Sequence, residues 1–376
     1  MPLIYLIAGE QSGDILGARL MHALRTQRPD VTFAGVGGAA MAEQGLNSLF
    51  PIGTLAIMGL LEVLPKIFTL KALLKQTVAD VQARRPDVLV TIDSPGFTLR
   101  VQKALQPTTL KRAHYVAPQV WAWRENRVRH YPGLWDELLC LLPFEPAFFA
   151  RHALPARFVG PPVLESGAAR GDAARFRVRH GIPQGAKILT VMPGSRSSEV
   201  SRLLPVLEAT IRLLPEPVIP VVPLAGPVEA VVRTQTATWP VRPILVADTD
   251  EKHDAFAASA AALTKSGTST LELALAKVPM LVTYRVNPLT HQIAKRTIKI
   301  KYASIINLLL DRPVIPELLQ YESRPDRLAA ELHRLLTDAG AVAQQRDGCV
   351  QALAMLRPAV GTPSECAADA VLSLLP

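Results

Sequence analysis

Three cysteines in 376 residues, Cys140, Cys349 and Cys366, stand too far apart for a CxxC pair or a zinc set. That excludes a disulfide framework and points to a reduced, cytoplasmic protein. No run approaches the roughly 18 apolar residues that a membrane-spanning helix requires. The first apolar run is too short for a signal-peptide core and no basic segment precedes it. G-x-S-x-G, a His/Cys cluster and G-x-x-x-x-G-K-[ST] are all missing, so hydrolase, zinc and P-loop chemistry lack support, and neither metal nor cofactor is expected. Repeats and low-complexity tracts are absent as well. Acidic residues are outnumbered, 32 against 41 basic, for a net charge of +9. Such a balance favours an anionic partner: a nucleotide, nucleic acid, phosphorylated lipid or acidic membrane surface.

What is present is an alternation of short β-rich runs and helical patterns, the signature of a doubly wound parallel sheet. Strands are expected at Leu3–Ala8, Thr32–Val36, Val88–Ile92, His114–Val116, Glu137–Leu141 and Arg157–Val159. A Gly-, Pro-, Ala- and Arg-rich stretch at 160–187 reads as a linker with one short helix. The alternation then restarts, with strands expected at Ile188–Met192, Val218–Pro223, Ile244–Ala247, Ala262–Thr264 and Met280–Thr283. The expected fold is α/β, two Rossmann-like domains with a cleft between them, spanning 1–165 and 166–345, followed by a C-terminal helical segment, 346–376.

In the first half, AGEQSGDILG follows a strand and carries Gly9, Gly13 and Gly17 around Ser12 and Asp14. A glycine-rich turn entering a helix usually holds a phosphate, yet this one has no Lys and no dinucleotide spacing. VLVTIDSPGF ends a strand at Asp93, which is a candidate general base or, equally, a cap of the next helix. HYVAPQVWAWRENRVRHY crowds Trp121, Trp123, Arg124 and Arg127 together, which suits a sugar phosphate, a packed core or stacked nucleic acid. The stretch 57–81 is apolar, with Leu60, Leu64, Ile67 and Phe68 set among Lys66, Lys71 and Lys75. Two readings stand: a buried helix, or an apolar face with a basic rim that docks on anionic lipid.

In the second half, VMPGSRSSEV places Ser195 and Arg196 after a strand, where an Arg can fork onto a phosphate and Ser197 or Ser198 can cap the following helix. LTKSGTSTLE repeats the design: Ser266, Gly267 and Thr268 form the turn, and Glu272 lies one turn into the helix, placed to hold ribose hydroxyls. Two such loops favour a nucleotide diphosphate over a pair of ordinary capped helices. The D-x-D at Asp248 and Asp250 reads as a cap and turn.

Along nearly its whole length the sequence resembles the lipid A disaccharide synthases, inverting glycosyltransferases of GT-B architecture. The resemblance is carried, in order, by AGEQSGD, GVGG, MGLLEVL, the Asp93 segment, HYVAPQVWAWR, LPFE, PGSR-x-x-E, SGTSTLE and IINLLLDRPVIPELLQ. It implies transfer of diacylglucosamine from UDP-diacylglucosamine to the 6-hydroxyl of diacylglucosamine 1-phosphate, at the cytoplasmic face of the inner membrane of Gram-negative bacteria. It further implies Asp93 as base and Arg196 at the diphosphate, with Asn307, Glu317 and Gln320 on the donor side. Gly9, Ser12, Gly13, Asp14, Trp123 and Arg124 fall on the acceptor side, Leu60, Leu64, Ile67 and Phe68 toward the membrane. A C-terminal segment that packs back on the first domain or on a partner chain allows a homodimer, and nucleic acid is not an expected partner. Gly96, Thr98 and Pro161 depart from the family pattern, which usually has an acidic residue, Asn and His there. Two other readings compete: a UDP-N-acetylglucosamine 2-epimerase on the same architecture, and a non-enzymatic membrane or nucleic-acid binding protein.

Overall fold

The computed structural model describes residues 1–55, 67–287, 292, 297 and 300–376. The chain forms two compact units, Met1–Pro162 with Leu356–Pro376, and Val163–Met355.

The first unit is built on six parallel strands: β1 (Leu3–Ala8), β2 (Thr32–Val36), β3 (Val88–Ile92), β4 (Lys111–Tyr115), β5 (Glu137–Cys140) and β6 (Ala156–Phe158), in the order β2-β1-β3-β4-β5-β6. Helices cover both faces of such a sheet, so its central strands are continuously apolar; β1 and β3 are buried throughout, apart from half-buried Leu3. β4 lies earlier than expected at 114–116, because its KRAH start looks polar. Arg112 is nevertheless buried, donating hydrogen bonds to the carbonyls of Gln102 and Gly133.

Helix α1 (Gln11–Gln27) lays Leu16, Leu20, Met21 and Leu24 on the sheet. Ala367, Ala368, Ala370 and Val371 of the C-terminal helix Pro363–Leu372 join the same core. A capping box starts that helix, Thr362 accepting from the Glu365 N–H while Glu365 accepts from Thr362. The returning segment begins at Leu356 rather than 346, because the helix Ala339–Met355 is continuous and belongs to the second unit.

The opening glycines have packing roles. A Cβ on Gly17 would stand 2.6 Å from the Met41 sulfur, and one on Gly13 would touch Ala8 and Ile92. Asp14 is buried, and its carboxylate accepts the backbone N–H groups of Gly38, Ala40 and Met41 at 2.7, 3.0 and 3.1 Å, capping helix α2 (Ala39–Glu43). A carboxylate at a helix N-terminus also meets the favourable end of the dipole. Asp14 is therefore a helix cap, and Gly13 packs on the core.

The helix Ile67–Arg84 turns Leu70, Leu73, Leu74 and Val78 onto the core, while Phe68 is 79% exposed. Leu60 and Leu64 lie outside the described residues, as does the side chain of Ile67. Among the described residues no helix is long and apolar enough to cross a membrane.

The second unit repeats the plan with β7 (Lys187–Met192), β8 (Val218–Pro223), β9 (Ile244–Val246), β10 (Ala261–Lys265), β11 (Met280–Tyr284) and β12 (Glu317–Leu319), all parallel, in the order β12-β11-β10-β7-β8-β9. β12 escapes the sequence reading: it is a three-residue edge strand, follows Pro316 and opens on a charged residue. The stretch 160–187 is no loose linker. Asp172 caps the helix Ala173–Arg179, and Arg175 grips Asp254 of the helix Thr249–Ala258 with two hydrogen bonds, one of 2.7 Å. Asp248 is the N-cap of that latter helix, accepting from the Glu251 N–H.

Removing the Asp14 carboxylate leaves three N–H groups without their acceptor, so Asp14→Ala should lower unfolding free energy by about 1–3 kcal/mol. Urea denaturation followed by circular dichroism reads this as an earlier transition; an unchanged midpoint would free Asp14 for another role.

Candidate functional site

β3 ends in a turn whose backbone is strained. Asp93 and Ser94 have φ of 50° and 45°, the left-handed region at two successive non-glycine residues. Such pairs persist only where surrounding bonds enforce them, and they gather at functional sites. Here the Asp93 N–H donates to the Tyr115 carbonyl at 2.8 Å, and the Thr98 hydroxyl reaches the carbonyls of Asp93 and Ser94 at 2.6 and 3.0 Å. Thr98, the departure from the family's usual Asn, thus clamps the turn, while Gly96 stands in open space. Asp93 does not cap the helix Pro95–Ala104: its N-cap is Ser94, and among the described residues the Asp93 carboxylate accepts only the adjacent Ser94 N–H, at 2.7 Å. Burial, and then the nearby Glu10 charge, raise the Asp93 pKa above the ordinary carboxylate value.

The opening loop adjoins this turn. A Cβ on Gly9 would lie 2.2 Å from Ser94 Cβ, so only glycine lets the two segments meet. Exposed Ser12 donates to Glu10 at 2.6 Å. On the helix Val120–Trp123, Trp123 is exposed with the Arg124 guanidinium 3.9 Å from its ring centre. Trp121 instead turns inward. Its indole donates to Glu145 at 3.0 Å, and Glu145 also accepts the N–H groups of Leu141 and Leu142; burial pushes its pKa up to about 7. That buried carboxylate explains LPFE: it ties the turn after β5 to the Trp segment.

In the second unit, Pro193–Arg196 leave β7 through Gly194, at φ +115°, and the helix Ser197–Arg212 begins. The N-cap is Arg196 itself, without a side-chain cap, so Ser197 and Ser198 are first-turn residues rather than caps. Ser195 and the Arg196 side chain are exposed. Glu199, almost fully buried, accepts the Tyr284 hydroxyl at 3.0 Å and lies 3.4 Å from Arg196. Burial and this carboxylate push the Tyr284 pKa up to about 12. Thr268 is exposed in the neighbouring turn, beside half-buried Gly267.

Several residues expected at the ligands also make internal contacts. Asn307 is buried; its amide donates to the Ile315 carbonyl and to Glu317 and accepts from the N–H groups of Val314 and Ile315. Glu317 accepts the N–H groups of Ala303 and Ser304 at 2.7 and 2.9 Å. These two residues shape a loop whose Ala303 carbonyl takes the Ser266 hydroxyl at 2.6 Å. Gln320, also at positive φ, accepts from the Val286 N–H, and Glu272 pairs with Lys252 at 2.8 Å. Asn307, Glu317 and Ser266 are thus positioning groups. Sequence reasoning missed Thr98, Glu145, Glu199 and Tyr284, because a buried polar residue gives no pattern until its partners are known.

Comparisons with known proteins fit this arrangement. The profile of the family described as Lipid-A-disaccharide synthetase matches residues 4–371. The chain belongs to the lipid-A-disaccharide synthase family. The "Lipid-A-disaccharide synthase" of Granulibacter bethesdensis is 52% identical over 388 residues, covering 100% of this chain and 99% of that one. The fold is GT-B. Acinetobacter baumannii MurG superposes with a TM-score of 0.59 at 11% identity, over 99% and 100% of the two chains. The UDP-GlcNAc 2-epimerase of Neisseria meningitidis, bound to UDP-GlcNAc, reaches 0.64 at 12% identity, over 99% of each chain. These structural likenesses show the architecture alone, and transferases and epimerases share it; the family match separates them. The chain is a glycosyltransferase of lipid A biosynthesis, condensing UDP-diacylglucosamine with diacylglucosamine 1-phosphate.

If Asp93 acts as a base it works ionised, and activity then rises with pH through its elevated pKa. Glu10→Gln removes one of the two causes of that elevation and should shift the acid limb of the kcat/KM profile to lower pH. A limb that stays in place would mean that Asp93 is not the group being titrated. Because the folded state binds this proton more tightly than the unfolded chain, stability falls as pH rises above the ordinary carboxylate pKa. Asp93→Asn should therefore unfold at a higher urea concentration than the parent at pH 8.

Proposed function

We propose that Asp93 is the general base of the transfer and Arg196 the clamp on the leaving nucleotide. The observation that carries the base role is the strained Asp93–Ser94 turn, which holds a half-buried carboxylate of raised pKa at the carboxyl end of β3, where open α/β sheets bind ligands. In the reaction the 6-hydroxyl oxygen of diacylglucosamine 1-phosphate attacks the anomeric carbon of the donor from the face opposite UDP. Asp93 takes the hydroxyl proton, the bond from the anomeric carbon to the phosphate oxygen breaks, and its electron pair leaves with UDP. Configuration inverts to a β-1,6 linkage, and no covalent enzyme intermediate forms.

The leaving diphosphate gains negative charge, which Arg196 offsets with its fork of donors. Ser195, Gly267 and Thr268 line the donor side, with Glu272 at the ribose. Trp123 and Arg124, with their stacked ring and guanidinium, meet the acceptor sugar and its phosphate together with Gly9 and Ser12. An anionic membrane surface is the remaining partner we propose, met where exposed Phe68 stands beside exposed Lys71 and Lys75 on one helix.

Incubation with both acylated substrates should release UDP and a disaccharide 1-phosphate, resolved by mass spectrometry. Epimerisation of UDP-N-acetylglucosamine supplied alone would overturn the transferase reading. Asp93→Ala should lower kcat at least about 10²-fold in a folded protein. Arg196→Ala should lower kcat/KM by about 2–4 kcal/mol of transition-state stabilisation; either variant turning over like the parent removes that residue from the mechanism.

A further inference from the structure

Lys265, the last residue of β10, has no part in the assignment above. Its Nζ lies 3.5 Å from Glu199 Oε2, an oxygen without a hydrogen-bond partner among the described residues. The other oxygen of Glu199 is shared between the Tyr284 hydroxyl and Arg196 Nη1, the latter at 3.4 Å. Two cations therefore flank one buried anion, and the cluster keeps an excess charge of +1. Neither cation sits at the roughly 2.7–2.9 Å of an optimal charge-assisted hydrogen bond, so Glu199 holds both near it without saturating their donors. An ammonium has three N–H groups and a guanidinium five.

The placement is as telling as the charge. β7 and β10 are neighbours, Met192 opposite Thr264, so Arg196 and Lys265 follow the carboxyl ends of adjacent strands. A Cβ on Gly267 would stand 3.4 Å from the Lys265 ammonium, which puts that charge beside the Ser266–Thr268 turn. Only 20% of the Lys265 side chain is exposed, so water screens it less than it screens Arg196, exposed at 56%.

We propose that Lys265 is a second cationic contact for the donor's diphosphate, placed beside Arg196 by the shared counter-ion Glu199. This rests on the reading of Arg196 as the leaving-group clamp. When the anomeric carbon–oxygen bond breaks, the electron pair it leaves on the β-phosphate oxygen falls under both cations, while the new bond forms to the acceptor oxygen and its proton goes to the base.

The test compares Lys265→Met, Lys265→Arg, Arg196→Ala and the double variant Lys265→Met with Glu199→Gln, each confirmed folded by circular dichroism. UDP binding is measured by calorimetry, and kcat/KM for the acylated donor alongside it. Lys265→Met should weaken UDP binding and lower kcat/KM roughly 10- to 100-fold, the loss of one hydrogen bond to a charged group. Lys265→Arg should restore most of it, and Glu199→Gln in the double variant should restore none. Recovery in the double variant would make Lys265 a mere neutraliser of Glu199 and overturn the proposal. So would parent-like behaviour of Lys265→Met while Arg196→Ala fails. If both single variants bind UDP like the parent, the clamp reading itself falls first.

Discussion

One threonine hydroxyl holds the first unit's strained turn in place. Thr98 Oγ1 bonds the carbonyls of two residues that chain sterics alone would reject, Asp93 and Ser94 in the left-handed region. Each such residue costs on the order of 1 kcal/mol or more, and the helix begins at once beyond them. Much else answers to this turn. Residue 9 has to be glycine because Ser94 stands against it, and the Asp93 carboxylate is left with only a neighbouring N–H for company.

The second unit reaches its polarity by a different route. Instead of backbone strain it uses an almost buried carboxylate, Glu199, with Arg196, Lys265 and Tyr284 gathered around it from three strand ends. Burying a charge is costly unless it is paired, and here the pairing also keeps positive charge in a fixed position. The segment from the helix Ile305–Leu310 to β12, which contains Asn307 and Glu317, gives a second example of the same economy of partners: every polar atom of the Asn307 side chain is occupied within it.

Most of the fold was legible because the central parallel strands are buried on both faces and so announce themselves as apolar runs; β12, with a charged first residue and a single neighbour, was not. Asp93 and Arg196 stood out as candidates because each comes soon after an apolar strand, Asp93 directly and Arg196 after the Pro193–Ser195 turn. Asp14, Asn307 and Glu317 stood out in their motifs, but a polar residue there looks the same whether it faces a substrate or a backbone N–H, and the backbone bonds these three make had no signal in the sequence. Lys265 shows the reverse. A lysine was sought in AGEQSGD and found wanting, whereas Lys265 adjoined the other phosphate-type turn, inside LTKSGTSTLE, and was given no role there.

The C-terminal helix gives the molecule an order of completion opposite to its order of synthesis. Unit one needs Ala367, Ala368, Ala370 and Val371 against α1, and Val163–Met355 must be made before they exist. At roughly 5–20 residues per second, that interval is on the order of 10–40 s. Throughout it, the apolar flank of α1 that the helix later covers has no partner from its own chain. The half of the protein that is translated first is thus the half that is finished last, and a ribosome stalled near the end releases a chain whose second unit is whole and whose first is open.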